Sequence, residues 1–308
     1  MKTAFIKTIT SLMETHKDIV IVTADMGFSV FEDIQKRFPD RFFNTGITEQ
    51  ASVSFAAGMA LSGYTVYFYA QAAFSTMRCF EQVRLDVAYN HLNVKIIGTN
   101  AGLSLNQLGV SHFSVEDVAL MRLLPDMTVF TPGDPSEMEL AMNKSYEIDG
   151  PTYLRFTKLG SEIIHNKKIK ELTGNPILID EGKDATLFIS GGLLKMGLEV
   201  KKYLLKQNIN LSIYSVPIVK PLLPDIIINE INKNHNIFTL EEHSILGGLG
   251  TVISEIISEN SLNTVFCKFG FPDKYTSVTG SSDFLLDYNG ISIEKISKII
   301  KNKLIKNG

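Results

Sequence analysis

The segment DIVIVTAD (18–25) is short, β-branched and unalternating. That is the pattern of a strand buried on both faces of a parallel sheet, not of an antiparallel strand with one wet face. Similar runs recur outward from it: YTVYFYA (64–70), NVKIIGT (93–99), MTVFTP (127–132) and PTYLRF (151–156). Residues 3–15 have helical apolar spacing, and helical stretches separate the runs at ASVSFAAGMALSG (51–63), MRCFEQVRLDVAYN (77–90) and SVEDVALMRLL (114–124). Alternation of strand and helix with short loops predicts an α/β fold with a doubly wound parallel sheet.

Past PTYLRF the texture turns polar and basic over 159–180, which predicts a linker at 166–183 between a domain at 1–165 and a second at 184–308. The second reads as another parallel-sheet unit. Its expected strands are ATLFISGG (185–192), NLSIYSV (210–216), HNIFTLEE (235–242) and TVFCKFG (264–270), with helices at 194–207, after the turn HSILGGLG (243–250), and at the end. The terminal ISIEKISKIIKNKLIKNG reads as a docked amphipathic helix with its lysines in solvent.

Composition narrows the function classes. The chain has 308 residues, 44% hydrophobic and 20% charged, so it can bury two cores. Its net charge of −3 gives no basic field for nucleic acid. Cys79 and Cys267 form no CxxC pair, which argues against a disulfide framework or a structural zinc. The first residues lack the apolar core of a signal peptide, and no run is apolar enough to span a membrane. The expectation is a cytoplasmic protein that meets neither nucleic acid nor membrane.

Two segments could carry chemistry. In RFFNTGITEQASVSFAAGMALSG (41–63), Glu49 opens a helix of small residues (Ala51, Ala56, Ala57, Gly58, Ala60) that lets another backbone or a ligand ring approach closely. A glutamate at that mouth is partly desolvated and suited to share a proton; on local chemistry alone the simpler reading is a first-turn acid answering the helix dipole. In GTNAGLSLNQLGVSHFSVEDVALMRLLPDMTVFTPGDPSE (98–137), His112 follows a strand and a glycine-rich loop, where open α/β sheets bind ligands. Ser114, with Asp117 three residues on, is the expected cap of the next helix. LEEHSILGGLG (240–250) does not fit a dinucleotide fingerprint and reads as structural, with Glu241 and Glu242 ending a strand and His243 an interface contact.

Taken together these residues resemble the C-terminal half of transketolases, and most closely the C-terminal subunit of split, two-polypeptide transketolases. The resemblance runs from DIVIVTAD and FFNTGITEQ through AGMALSG, FEQVRLDVAYNHLNVKIIGT, GVSHFSVEDVALMR, PGDPSE and GPTYLRFTK to LEEHSILGGLG and GFPD. It implies a pyrimidine-binding domain of the thiamine diphosphate enzymes followed by a transketolase C-terminal domain. No GDG stretch with a following asparagine occurs, so the Mg²⁺ and diphosphate site is expected on an N-terminal partner subunit, in an α2β2 assembly with homodimerisation of this chain.

For the site, the resemblance implies that Glu49 hydrogen-bonds the pyrimidine nitrogen N1′ and that Phe74 stacks on the ring. Asp25, Gln71 and Arg78 then complete the cofactor set, with Gln71 standing where a second aromatic wall is common. His112 meets the substrate or intermediate near the reacting oxygens, with Ser29, Asn100 and Lys158 also on the substrate side; no metal ligand is expected in this chain. The implied reaction moves a two-carbon ketol unit from a ketose to an aldehyde.

The phosphate grip departs from the family. Asn100 stands for a histidine, Lys158 for an arginine, Phe5 for an arginine and Leu108 for a sugar-reading aspartate, so planar bidentate recognition is lost. A modified, sulfonated or nucleotide-linked sugar is therefore the expected substrate class. Two rivals share the domain order or the fold: the β subunit of a 2-oxoacid dehydrogenase, and a non-catalytic scaffolding subunit. GITEQ and GVSHFSVED favour transketolase over the first, and retention of Glu49, Phe74 and His112 over the second.

Overall fold

The computed structural model describes residues 1–165 and 169–307. Residues 166–168 of the expected linker and Gly308 of the tail lie outside the described residues. Among the described residues twelve strands form two sheets: β1 (Ile19–Thr23), β2 (Phe42–Asn44), β3 (Thr65–Gln71), β4 (Val94–Thr99), β5 (Thr128–Phe130), β6 (Thr152–Arg155), β7 (Ile177–Asp180), β8 (Ala185–Ser190), β9 (Leu211–Ser215), β10 (Ile218–Lys220), β11 (Asn236–Ser244) and β12 (Val265–Phe271). The first sheet has the order β10-β5-β6-β4-β3-β1-β2 and is parallel except for β10. Every residue of β1, β3, β4 and β6 is buried, because helices cover both faces.

The second sheet runs β12-β11-β8-β9-β7, parallel apart from β7 at its edge. The segment expected as linker is thus a strand over residues 177–180, paired with β9. Its alternating burial, with only one face covered, is why it lacks the continuous apolar run of the other strands. The chain also crosses back: β10, from the second half, closes the β5 edge of the first sheet. Val118, Met121, Phe188, Leu249 and Ile253 share one apolar cluster, so the two halves are packed into each other.

In the first sheet the connection after β1 leaves toward β2 and the next returns to β3 on the other side. The loops after β1 and β3 therefore diverge at a switch point, the place where open α/β sheets form a crevice. Among the described residues no helix is long and apolar enough to cross a membrane.

Candidate active site

Glu49 is the first residue of the helix Glu49–Leu61, and a tight turn delivers it there. The Asn44 side-chain oxygen accepts from the amides of Asp25 and Gly46, both at 3.0 Å, and Gly46 takes φ +75°. That φ favours glycine over any side chain. The turn tucks the Glu49 carboxylate into the protein at 4% exposure. Arg78 Nη1 donates to Glu49 Oε2 at 2.8 Å, and the same guanidinium lies 4.1 Å from the Phe74 ring centroid. The edge of Phe74 meets the His112 ring at 5.3 Å between centroids and 67° between planes. The helix expected at 77–90 begins earlier and is irregular, with wide turns at Phe74–Arg78 and Val83–Ala88. Such turns recur at functional sites because they re-aim side chains; here the first of them carries both Phe74 and Arg78.

His112 sits in the loop between β4 and the helix Asp117–Arg122. Its Nδ1 is 2.9 Å from the Ser111 hydroxyl, and its carbonyl accepts from Gln71 Nε2 at 3.0 Å. Gln71 is buried at the end of β3, so where the family has an aromatic wall this chain has an amide that ties down the histidine loop. Glu49, Arg78, Phe74, His112 and Gln71 therefore form one connected group.

The other candidates occupy other positions. Asp25 and Ser29 occupy the loop after β1 in left-handed backbone, φ +50° and +57°, beside a recess of about 180 Å³ lined by Asp25, Phe28 and Asn44. Asn100 directly follows β4, also left-handed at φ +52°, a conformation asparagine tolerates better than most residues. Lys158 is exposed beyond β6 and lines a different cavity of about 400 Å³ with Glu162, Lys195 and Asp283. Phe5, set against the family's arginine, is core: it packs on Phe31, Tyr69 and Phe156 at 5.5 to 6.4 Å.

Three features differ from the sequence reading. The helix after His112 starts at Asp117 with Glu116 at its cap position and no side-chain cap bond, not at Ser114. Ser114 instead pairs with Gly102 in an antiparallel bridge. The Asp117 carboxylate is taken by a buried partner, accepting from Arg155 Nε at 2.7 Å and Tyr153 OH at 2.6 Å. Burial and Asp117 together raise the Tyr153 hydroxyl's pKa, and Asp117 raises that of the Arg155 guanidinium against its desolvation. Asn44 and Ser111 are not singled out by sequence; their signal is adjacency, one at the entry to GITEQ and the other before His112. Among the described residues one group of acids and histidine has metal-ligand proximity, Asp134, Glu137 and His165. Its atoms are occupied by a helix cap and each other: Asp134 accepts from Glu137 N, Glu137 from Gly133 N, and His165 Nε2 lies 2.7 Å from Glu137 Oε1.

The LEEH stretch is wholly buried. Glu241 accepts from the amides of Leu249 and Gly250 at 2.8 Å each and so caps the helix Leu249–Glu259. His243 Nε2 accepts from Ala119 N–H at 3.3 Å while Nδ1 donates to the Ser244 carbonyl at 2.8 Å, the pattern of a neutral ring. Burial pulls His243 from 6.5 to about 4 and pushes Glu241 and Glu242 up to about 7.

The two shifts act in opposite windows. For His243 the folded value is depressed, so its stabilisation is whole above 6.5 and is lost as pH falls toward about 4, on the order of 3 kcal/mol. For the glutamates the folded value is raised, so their contribution is whole below 4.5 and is lost as pH rises through about 7. Denaturant midpoints measured from pH 4 to pH 8 are expected to show a steeper acid limb in the native chain than in His243→Gln. Equal acid limbs would refute the neutral buried histidine.

With that geometry in place, the comparisons with known proteins give the family. The transketolase pyrimidine-binding domain matches residues 1–161 and the transketolase C-terminal domain residues 175–296. The chain belongs to the transketolase family. It is 31% identical to one of the subunits of the apulose-4-phosphate transketolase of Phocaeicola vulgatus, over 96% of this chain and 94% of that one. It is 30% identical to a 6-deoxy-6-sulfo-D-fructose transketolase subunit of a Clostridium species, over 90% and 86%. A solved split-gene transketolase, described as an inactive β4 tetramer, superposes with a TM-score of 0.88 at 32% identity, covering 98% and 97% of the two chains.

Proposed function

We propose that this chain is the C-terminal subunit of a thiamine diphosphate-dependent transketolase that transfers a two-carbon ketol unit, acting with an N-terminal subunit that holds the diphosphate and Mg²⁺ in an α2β2 assembly. The observation that carries this reading is the buried Glu49 carboxylate gathered with Phe74 and His112 at the switch point of the first sheet. The donor set fits an aminopyrimidine: a carboxylate at 4% exposure can share a proton with a ring nitrogen, and an aromatic ring stands beside it. Glu49, Phe74, Gln71, Arg78 and Asp25 would hold the ring. When bound, the cofactor supplies the carbon nucleophile and the electron sink.

The residues of this chain do the rest. Glu49, itself buried, would share a proton at the ring nitrogen. His112, held at its carbonyl by Gln71 and at Nδ1 by Ser111, presents Nε2 to the substrate oxygens. Ser29 and Asn100 would border the approach, whereas Lys158, beyond β6, lines another cavity. Partly exposed apolar side chains support the partner. Helix Glu49–Leu61 buries Val53, Ala56 and Ala57 but leaves Phe55, which packs on Phe43, at 40% exposure and Leu61 at 72%, with Ile47 before it at 74%. Apolar surface of that kind marks a protein interface.

The substrate in this reading is not an ordinary pentose or hexose phosphate. Phe5 is locked in the core, and Leu108 and Val110 present half-exposed apolar side chains on the His112 loop. The two relatives carry in their names apulose 4-phosphate and a sulfonated fructose. The test is turnover by the reconstituted pair on those two sugars against xylulose 5-phosphate with ribose 5-phosphate. At least about a tenfold preference in kcat/KM for a modified sugar is expected, the size of one lost polar contact. Comparable turnover with the ordinary pair removes the substrate reading. Decarboxylation of a 2-oxoacid without ketol transfer removes the reaction itself.

A further inference from the structure

We infer that Glu242 of the second domain is a positioning residue for the catalytic site, setting the loop that carries His112. The inference rests on the reading of His112 as a substrate-facing residue. The loop leaves β4 at Asn100 and ends at the helix Asp117–Arg122, and its two arms are joined by the Gly102–Ser114 bridge, Gly102 N–H to Ser114 O at 2.8 Å and Ser114 N–H to Gly102 O at 3.0 Å. His112 is two residues from that bridge. Within the loop only turn hydrogen bonds add to the bridge, such as His112 N–H to Gly109 O at 3.0 Å, since the described segment holds Gly102 and Gly109 and no regular element.

The end of β11 braces both arms, beside the contacts that Phe156 and Lys158 make at Ala101 and Ser104. Glu242 Oε1 accepts from Leu103 N–H at 3.0 Å on one arm, and Ser244 N–H donates to Val115 O at 2.7 Å on the other. Arg155 Nη2 spans the two, donating to Ser114 O at 3.3 Å and Glu242 O at 3.2 Å. The fit is close. A Cβ on Gly102 would lie 2.3 Å from Glu242 Oε1 and 2.4 Å from its Cδ, so the loop is glycine there because the carboxylate presses against its backbone. Glu242 is 2% exposed and Arg155 2%, so these contacts are made without competing water. Leu103 and Phe113, from the loop itself, are buried in the second domain's core with Ile189, Leu240 and Phe271. Once Phe74 and Gln71 have set the near side of His112, the far side is set by a strand of the other domain.

Displacing a substrate-facing group by about 1 Å costs about a hundredfold in rate, so the test reads turnover in the complex with the partner subunit. Glu242→Ala is expected to lower kcat by about ten- to a hundredfold, with thiamine diphosphate and Mg²⁺ affinity within about twofold of wild type, because Glu49 and Phe74 stand on other elements. Glu242→Gln, which keeps an oxygen acceptor for Leu103 N–H, is expected to restore kcat to within about threefold. On a His112→Ala background, Glu242→Ala is expected to cost nothing more, since two residues acting through one group are non-additive.

Additive losses, or full kcat in Glu242→Ala per assembled site, overturn the positioning role. A His112→Ala enzyme with undiminished turnover overturns the reading of His112 instead. Should Glu242→Ala fail to assemble, Glu242→Asp carries the same comparison: it keeps a carboxyl group but withdraws the oxygen from Leu103. It is then expected to lower kcat by about tenfold, and wild-type kcat would reject the proposal.

Discussion

Glu49→Ala in the assembled enzyme is expected to lower ketol transfer by about a thousandfold, within the range that positioned proton sharing supplies. The residue is buried at the first position of its helix, and its partner is the Arg78 guanidinium at 2.8 Å. Removing the carboxylate deletes a buried negative charge beside the ring site and releases Arg78, which stays stacked on Phe74 at 4.1 Å. Glu49→Gln separates charge from shape: it refills the volume and keeps a hydrogen-bonding atom, yet cannot accept a proton, so its loss is expected to approach that of alanine. Steady-state turnover on the reconstituted pair measures both, with thermal midpoints confirming that the fold survives. If Glu49→Ala turns over normally, the proton-sharing role is wrong and the scaffolding reading gains the ground it loses.

The largest expected stability effect lies elsewhere, at Asp117. Its carboxylate accepts from Arg155 Nε at 2.7 Å, both side chains are at most 2% exposed, and Tyr153 OH donates to the same oxygen. Breaking such a pair from one side leaves a guanidinium charge in the interior, which costs about 3–5 kcal/mol. Asp117→Ala is therefore expected to lose that much in urea denaturation, whereas the double change Asp117→Leu with Arg155→Met, which removes both members of the pair, is expected to lose clearly less. Equal losses from the single and double variants would show that the cluster stabilises through packing alone. The two experiments are independent: the Glu49 variant leaves the interdomain cluster intact, and the double variant leaves Glu49 with Arg78.

Much of the architecture is legible in the order of residues. Strands buried on both faces announce themselves by continuous β-branched runs, and β1, β4, β6, β8 and β9 all fall inside the runs read from sequence. The elements not singled out are those whose signal is weak for a physical reason. β2 and β10 are three residues long, and β7 is wet on one face. The wide turns at Phe74–Arg78 and Val83–Ala88 keep helical composition while breaking helical spacing. At the site, the helix-opening position of Glu49 is legible because a turn-prone NTG precedes a run of small helix formers. The Ser114 cap misleads for the opposite reason. Local spacing favours it, but Ser114 is held in the bridge with Gly102 and Asp117 is claimed by Arg155, 38 residues away.

From residue order alone come the two α/β units, the family, and the residue types able to share a proton and meet a sugar; these depend on periodicity and on short motifs, both local along the chain. The fold alone decides which of those residues meet. It gathers Glu49, Arg78, Phe74 and His112, sends Lys158 to another cavity, locks Phe5 in the core, and braces the His112 loop with Glu242, which is 139 residues from Leu103. Such meetings come from packing and hydrogen bonding between distant segments, and those forces act through space and leave no period in a sequence.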